Sequence, residues 1–324
     1  MKILIIRFSS IGDVVLTTPI VRCIKHQLGA EIHFLTKSGF KPILESNPHI
    51  DQVFGLEDSF ASTLQQLSEE SYDYVVDLHK NLRSMRVRIR LRSSSAGFNK
   101  ANLAKWLMVN AKIDLLPKQH IVDRYFEAVR ALKVRYDGKG LDYFIQEQTI
   151  QEFKPPYVVF AIGGAHATKR LPKKGIAEIC SKMDIQIILI GGPEDVETGS
   201  EIAGSLSHVI NKAGTCSLDA SAALIERAEL IITHDTGMMH IAAALQRPII
   251  SIWGNTIPAF GMHPFYPEDT QIESAIFEVS NLPCRPCSKI GYAACPKKHF
   301  KCMTLQPTAA IAARAMELLD TSVK

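Results

Sequence analysis

The chain has 324 residues, of which 46% are apolar, 7% aromatic and 22% charged, a globular composition long enough for two domains of ordinary size. Lys and Arg number 37 against 33 Asp and Glu, and the resulting formal charge of +4 is too small for a protein that coats a polyanion. The opening apolar run, 3–6, stops at Arg7, and no other segment reaches the length of a signal-peptide core or a membrane span. The expectation is a soluble, cytoplasmic protein.

In chain order, short and near-continuous apolar runs alternate with amphipathic stretches. Strands are expected at 2–7, 32–36, 74–77, 158–162, 186–191, 230–233 and 248–253. Helices are expected at 13–28, 59–70, 122–133, 176–183, 194–206, 217–227 and 238–245. Runs that are apolar throughout suit parallel strands covered on both faces, and strand–helix–strand repetition predicts doubly wound sheets. Two such series are separated by a polar break at 136–156, which ends in Lys154-Pro155-Pro156 where a helix cannot continue. The predicted fold class is α/β, with two doubly wound parallel-sheet domains, 1–155 and 156–324, facing each other across a cleft. Beyond Trp253 the pattern gives way to a Pro- and Cys-rich region. A last amphipathic helix at 308–319 is expected to pack back on the first domain.

Charge is distributed unevenly. Residues 1–155 carry 22 basic and 17 acidic side chains, against 15 and 16 in residues 156–324. Within 78–113 there are nine Lys and Arg and no acid. On a helix, Arg83, Arg86 and Arg90 share one face, and Arg88 and Arg92 another. Such runs are usually solvated faces, but 36 residues without an acid point to an anionic partner. The aromatic interleaving of single-strand binders is missing, so nucleic acid is not an expected partner. Arginines suit bidentate capture of phosphate or carboxylate on an anionic acceptor, or a peripheral headgroup surface.

Three polar turns follow expected strands, and in doubly wound sheets ligands bind at the carboxyl ends of strands. The first is Arg7-Phe8-Ser9-Ser10-Ile11-Gly12-Asp13, where Gly12 permits close backbone approach. Asp13 reads either as a helix cap or as a general base. The glycine spacing of a dinucleotide fingerprint is absent, which disfavours NAD. The second turn, 162–172, holds Gly163, Gly164, Thr168, Lys169 and Arg170 ahead of Pro172. It reads as a solvated basic turn or as an anion cradle. The third, 233–240, holds Asp235, Thr236 and Gly237 at a helix start, with His240 one turn on from Thr236. These residues are an N-cap and a buried histidine, or else contacts to phosphate and sugar hydroxyls.

Four of the seven cysteines form Cys284-x2-Cys287-x7-Cys295-x6-Cys302. The first pair is a half-site for tetrahedral zinc, whereas the second has the wrong spacing for a standard ribbon. Inert loop thiols are the leading expectation here, and a structural zinc the minor one.

Together these segments resemble glycosyltransferase family 9, the ADP-heptose:lipopolysaccharide heptosyltransferases. The resemblance is carried by the opening strand with Ser9-Ser10-Ile11-Gly12-Asp13, by Tyr74-Val75-Val76-Asp77-Leu78-His79 and by Asn81-Leu82-Arg83-Ser84. It continues through Lys169-Arg170-Leu171-Pro172, Gly191-Gly192-Pro193, Ala213-Gly214-Thr215 and Asp235-Thr236-Gly237-Met238-Met239-His240, and on to Gly254-Asn255-Thr256 and Cys284-Arg285-Pro286-Cys287.

The resemblance implies a GT-B architecture and an inverting, metal-independent transfer that requires no cofactor. The donor, a nucleotide sugar such as ADP-heptose, would lie in the second domain, and an anionic lipid-linked acceptor on the first. It implies Asp13 as base and Lys169 on the diphosphate, with Asp235, Thr236, Gly237 and His240 on phosphate and sugar. Gly163, Gly164, Thr168 and Gly192 would complete the donor site, with Glu194 or Glu197 on the ribose. Ser10, Gly12, Arg83 and Arg86 would face the acceptor, at the inner surface of the cell membrane. Leu171 departs from the family, in which an aromatic commonly follows the Lys-Arg pair. Two alternatives stay open: a GT-B transferase or epimerase using another nucleotide sugar, and a nucleotide-sugar-binding protein without transfer activity.

Overall fold

The computed structural model describes residues 1–56, 59–146 and 153–322. The chain forms two compact units. One comprises Met1–Lys100, Gln119–Phe144 and Pro267–Asp269, and the other Ala101–Lys118, Ile145–Tyr266 and Thr270–Lys324. The chain therefore crosses between units more often than a single boundary at 155 requires. Within the expected linker, 147–152 lie outside the described residues.

The first unit runs β1 (Lys2–Ile6), α1 (Ile11–Val15), α2 (Thr18–Leu28), β2 (Glu31–Lys37), α3 (Pro42–Glu45), β3 (Gln52–Leu56), α4 (Phe60–Glu69), β4 (Tyr74–Asp77), α5 (Leu82–Leu91) and β5 (Ser94–Gly97). Next comes α6 (Asn102–Asn110), which belongs to the second unit, and then α7 (Ile121–Tyr125), back in the first. The second unit continues with β6 (Tyr157–Ala161), α8 (Lys173–Ser181), β7 (Gln186–Ile190), α9 (Val196–Ser205), β8 (Val209–Asn211), α10 (Leu218–Arg227), β9 (Leu230–His234) and α11 (Gly237–Ala244). It closes with β10 (Ile249–Trp253), β11 (Ser274–Glu278), α12 (Lys301–Thr304) and α13 (Thr308–Ser322).

Every strand pair is parallel, in the orders β3-β2-β1-β4-β5 and β11-β10-β9-β6-β7-β8. The first strand of each series thus lies inside its sheet, and winding reverses beside it, between β1 and β4 and between β6 and β9. These reversals are the switch points at which the turns after neighbouring strands diverge and leave a crevice. Strands β1, β6, β9 and β10 are buried nearly from end to end. Each fully buried Ile, Val or Leu side chain contributes about 1.5–3 kcal/mol relative to exposure, so these runs set the register of both sheets.

Four strands lack that signal and were not expected from the sequence. Strand β5 is Ser-Ser-Ala-Gly, β8 is three residues long, β11 alternates between exposed and half-buried, and β3 has a single buried residue. All four lie at sheet edges, where one side of the strand stays in contact with solvent. The expected helix 13–28 is two helices: Thr17 bonds back to the Val14 carbonyl (2.7 Å), and Pro19 starts α2 afresh. The expected helix 122–133 is α7 followed by a 3₁₀ turn, Phe126–Leu132. Helix α13 buries Ile311, Ala312, Ala315, Leu318 and Leu319 in the core of the second unit, where it packs on α8.

Candidate active site

At the switch point of the first sheet, the chain leaves β1 through Arg7 and enters α1 at Ile11. Asp13, third in that helix, accepts from the Ser10 N–H (3.1 Å) and the Ser10 hydroxyl (2.8 Å) through Oδ2. Its Oδ1 accepts from the Arg7 guanidinium. The capping role is therefore real, yet the carboxylate stays partly exposed, with 23% of the side chain open to solvent. Arg7 is buried, and it also donates to the carbonyls of Ser9 and Leu78 and lies 5.9 Å from the Tyr125 ring centroid. A basic residue ending an apolar strand was its only trace in the sequence. Ser10 is exposed and Gly12 buried.

The neighbouring turn follows β4. Buried Asp77 accepts from the N–H groups of His79 (3.0 Å) and Lys80 (2.7 Å) and from the Ser84 hydroxyl (2.9 Å). Asn81 and Ser84 close a reciprocal capping box that starts α5. Phe8, Ser9, Lys37, His79, Asn81, Leu82 and Arg83 line an open pocket of about 370 Å³. Arg83 thus joins the pocket, whereas Arg86, one turn further along, is exposed outside its lining. His79 packs on Phe8, 4.7 Å between ring centroids. Burial first, then the charges of Arg7 and Lys100, push its pKa down to about 4. Lys37, Asn81 and His79 were not singled out as site residues from the sequence, because only the pairing of β1 with β2 and β4 brings them together.

The second cluster lies at the ends of β6, β7 and β9. Lys169 pairs with Asp235 (Nζ to Oδ2, 2.6 Å) and also donates to the Asp235 carbonyl (3.2 Å). The Thr256 hydroxyl donates to the same Oδ2 (2.7 Å). Thr236, not Asp235, is the N-cap of α11, so the Asp235 carboxylate is turned to Lys169 instead of to the helix. Residues Thr236, Gly237 and Met238 are only half-buried, which leaves the positive end of α11 near solvent. Gly164 abuts it: a Cβ there would stand 3.1 Å from Thr236 Cγ2. Gly163 is held closer still, since a Cβ would meet Asp195 Oδ2 at 2.5 Å.

Asp195, absent from the sequence expectations, ties two turns together. It pairs with Arg170 (2.9 Å) and accepts from the Gly192 N–H (2.9 Å). Glu194 lies over Gly192 and is exposed, as is Glu197. The Leu171 N–H donates to His234 Nε2 (3.0 Å). His234 is fully buried, and desolvation, aided by the Arg170 charge, pushes its pKa down to about 4.

Two of the expected donor residues, Thr168 and His240, are buried. Thr168 is buried, and its hydroxyl exchanges hydrogen bonds with the Tyr292 backbone (2.8 and 3.2 Å). His240 is buried within α11. Leu171 packs into the core of the second unit. Among the cysteines, Cys302 is part of that core, and Cys284 faces His299 at 3.8 Å. Among the described residues no group of three or more His, Cys, Asp or Glu could hold a metal ion. Cys284, Cys287, Cys295 and Cys302, for which zinc was the minor expectation, form no such group among the described residues.

Two doubly wound parallel sheets in one chain, each with polar turns gathered at its switch point, define the GT-B class of fold. The solved E. coli heptosyltransferase WaaC with ADP shares it, with a TM-score of 0.73 at 22% identity over 98% of this chain and 100% of that one. The sequence model of glycosyltransferase family 9 (heptosyltransferase) matches residues 60–291, and the chain belongs to that family. It is similar to lipopolysaccharide heptosyltransferase 1 of Campylobacter coli, 27% identical over 289 residues, which are 79% of this chain and 84% of the relative. It is also similar to lipopolysaccharide heptosyltransferase 1 of Pseudomonas aeruginosa, 26% identical over 333 residues, covering 95% and 89%. The protein is a glycosyltransferase.

Proposed function

We propose that this glycosyltransferase moves a heptose from ADP-heptose, with inversion and without a metal, to a hydroxyl of an anionic, lipid-linked acceptor of the lipopolysaccharide-core type. The observation that carries the reading is the Lys169–Asp235 pair beside the open N-terminus of α11, with Gly164 drawn against Thr236 there and Gly163 against the neighbouring Asp195 turn. A diphosphate gains from a fixed cation, a helix N-terminus and glycine backbone that can approach closely. In this reading Lys169, Gly163, Gly164, Gly192, Asp235, Thr236 and Gly237 form the donor site, and exposed Glu194 is the ribose contact. His240 supports α11 from inside.

The first domain takes the acceptor, with Ser10, Gly12, Arg83 and Arg86 on its side and Lys37 added from the pocket. The acceptor oxygen attacks the anomeric carbon while its proton passes to Asp13. The bond from that carbon to the diphosphate oxygen breaks, and the electron pair leaves with ADP, whose charge Lys169 and α11 stabilise. Arg7 orients the base through Oδ1, and Ser10 must release Oδ2 for the proton to arrive there.

The test is calorimetry with ADP, UDP, GDP and their sugars, followed by product analysis on a lipid-linked, phosphorylated core acceptor. The expected result is selective binding of ADP compounds and transfer of a heptose with inverted anomeric configuration. Selective UDP-sugar binding would replace the donor. Sugar-nucleotide interconversion without acceptor would make the protein an epimerase.

A further inference from the structure

The Cys284-Arg285-Pro286-Cys287 segment stands out in the sequence but has no part in the proposed transfer. Its arginine is turned inward, with 7% of the side chain open to solvent. The guanidinium pairs with Glu278 (2.6 Å) and donates to the carbonyls of Gly254 (2.5 Å), Thr256 (2.8 Å) and Val279 (3.3 Å). The Cys287 N–H donates to the Asn255 carbonyl (3.2 Å), so all three carbonyls of the 254–256 turn are held from one short segment. That turn does not anchor itself: Asn255 is 1% exposed, and its side-chain amide has no partner among the described residues. The holding segment is itself fixed, since Lys112 donates to the Pro286 carbonyl (2.6 Å) and the Tyr292 hydroxyl to the Cys287 carbonyl (3.0 Å).

The 254–256 turn reaches both halves of the Lys169–Asp235 pair. Thr256 donates to Asp235 Oδ2 (2.7 Å), the same oxygen that meets Lys169 Nζ (2.6 Å). Gly254 lies against the residue before Lys169: a Cβ there would stand 2.7 Å from the Thr168 carbonyl oxygen. We propose, on the reading that Lys169 meets the donor diphosphate, that Arg285 is a positioning residue: it grips the 254–256 turn, which holds Asp235 through Thr256 and keeps Lys169 aimed at the diphosphate. The physical reason lies in the guanidinium. Its planar, rigid fork of donors serves two carbonyls at once, whereas the Thr256 hydroxyl bond by itself leaves the turn free to pivot. Charge-assisted bonds of this kind are also stronger than neutral ones. A small displacement of Asp235 would swing Lys169 away, because one carboxylate oxygen takes both contacts.

Calorimetry of the full-length protein with ADP and with adenosine is the test. Arg285→Met keeps the length of the stem and removes the donors; ADP affinity is expected to fall about tenfold or more, with adenosine affinity nearly unchanged. Thr256→Val removes the hydroxyl that meets Asp235 and should give a loss of the same kind. The double variant should lose no more than the larger single loss, since both act through one contact. Should Arg285→Met fail to fold, Arg285→Lys takes its place. It keeps the charge opposite Glu278, but one ammonium cannot hold both carbonyls, so ADP affinity is again expected to fall. Full ADP affinity in Arg285→Lys, equal losses for ADP and adenosine, or additive losses in the double variant would each overturn the proposal and leave the donor reading standing. Wild-type protein that binds ADP no better than adenosine would overturn the donor reading, and the proposal with it.

Discussion

Asp13 serves local structure and, in the proposed reaction, chemistry, and the two roles separate on substitution. Asn in its place keeps an oxygen for the Ser10 N–H but removes the negative charge that faces buried Arg7. Asp13→Asn is expected to lower the turnover number by about 10² to 10⁴ and to leave ADP affinity unchanged. A modest loss of melting temperature should accompany it, since a mostly buried cation loses its partner. Full single-turnover activity in the variant would leave Asp13 as a cap and nothing more. Lys169 is the corresponding residue of the second cluster. In Lys169→Ala, the Asp235 carboxylate remains without its cation beside the proposed diphosphate site, so repulsion adds to the lost attraction. ADP binding should weaken by about 2 kcal/mol or more, while adenosine binding barely moves. Equal losses for the two ligands in calorimetry would remove Lys169 from the diphosphate. Both residues were legible in the sequence, because each follows a strand end within a few positions. Arg7 and Asp195 were not, since their importance comes from partners on other turns.

At the level of elements, α5 is the informative one. Its start is held by the Asn81–Ser84 box and by Asp77, so the direction in which Arg83 projects is set by β4 rather than by solvent. Reversing Arg83 and Arg86 together is expected to raise the KM for a phosphorylated acceptor and leave the donor KM as it was. Arg83 lines the pocket and should contribute most of the effect; Arg86 stands outside the lining, so its share comes through longer-range attraction. Single variants measured at low and high salt separate the two, the Arg86 effect fading with salt. An acceptor stripped of phosphate is the control, on which the double variant should lose little. A raised donor KM with an unchanged acceptor KM would make α5 a donor-side or structural helix. No helix was expected at 82–91; the arginine faces were read only on the supposition of one, which α5 supplies. Its apolar outer stripe went unnoticed in the sequence, because Leu82, Met85 and Ile89 look like ordinary core positions until Ser84 and Val87 are found to face inward.

For the whole molecule, pH should act through buried histidine. His234 accepts the Leu171 N–H, a role that only the neutral imidazole can fill, and its pKa falls from 6.5 to about 4 on burial. The unfolded chain therefore binds a proton that the folded chain refuses between these values, so stability is full above about pH 6.5 and declines as pH falls towards 4. The loss is on the order of 3 kcal/mol, and it falls on the second unit, where His234 resides. Denaturant titrations from pH 7.5 to 4.5 should reveal the slope, and His234→Gln should reduce it to the share that His79, whose pKa is also pushed down to about 4, contributes; an unchanged slope would place the acid sensitivity elsewhere. By itself the sequence determined the two series of buried parallel strands and the turns that bear Asp13, Lys169 and Asp235. Both are local properties: a strand covered on two faces must be apolar along its length, and a turn at its end must be polar and small. Only the tertiary structure decided that 101–118 belongs to the second unit, that α13 is buried there, that Thr168 bonds Tyr292, and that the edge strands pair at all. Those outcomes depend on partners brought together from distant stretches of chain, and a contact between remote segments leaves no periodic trace in either one.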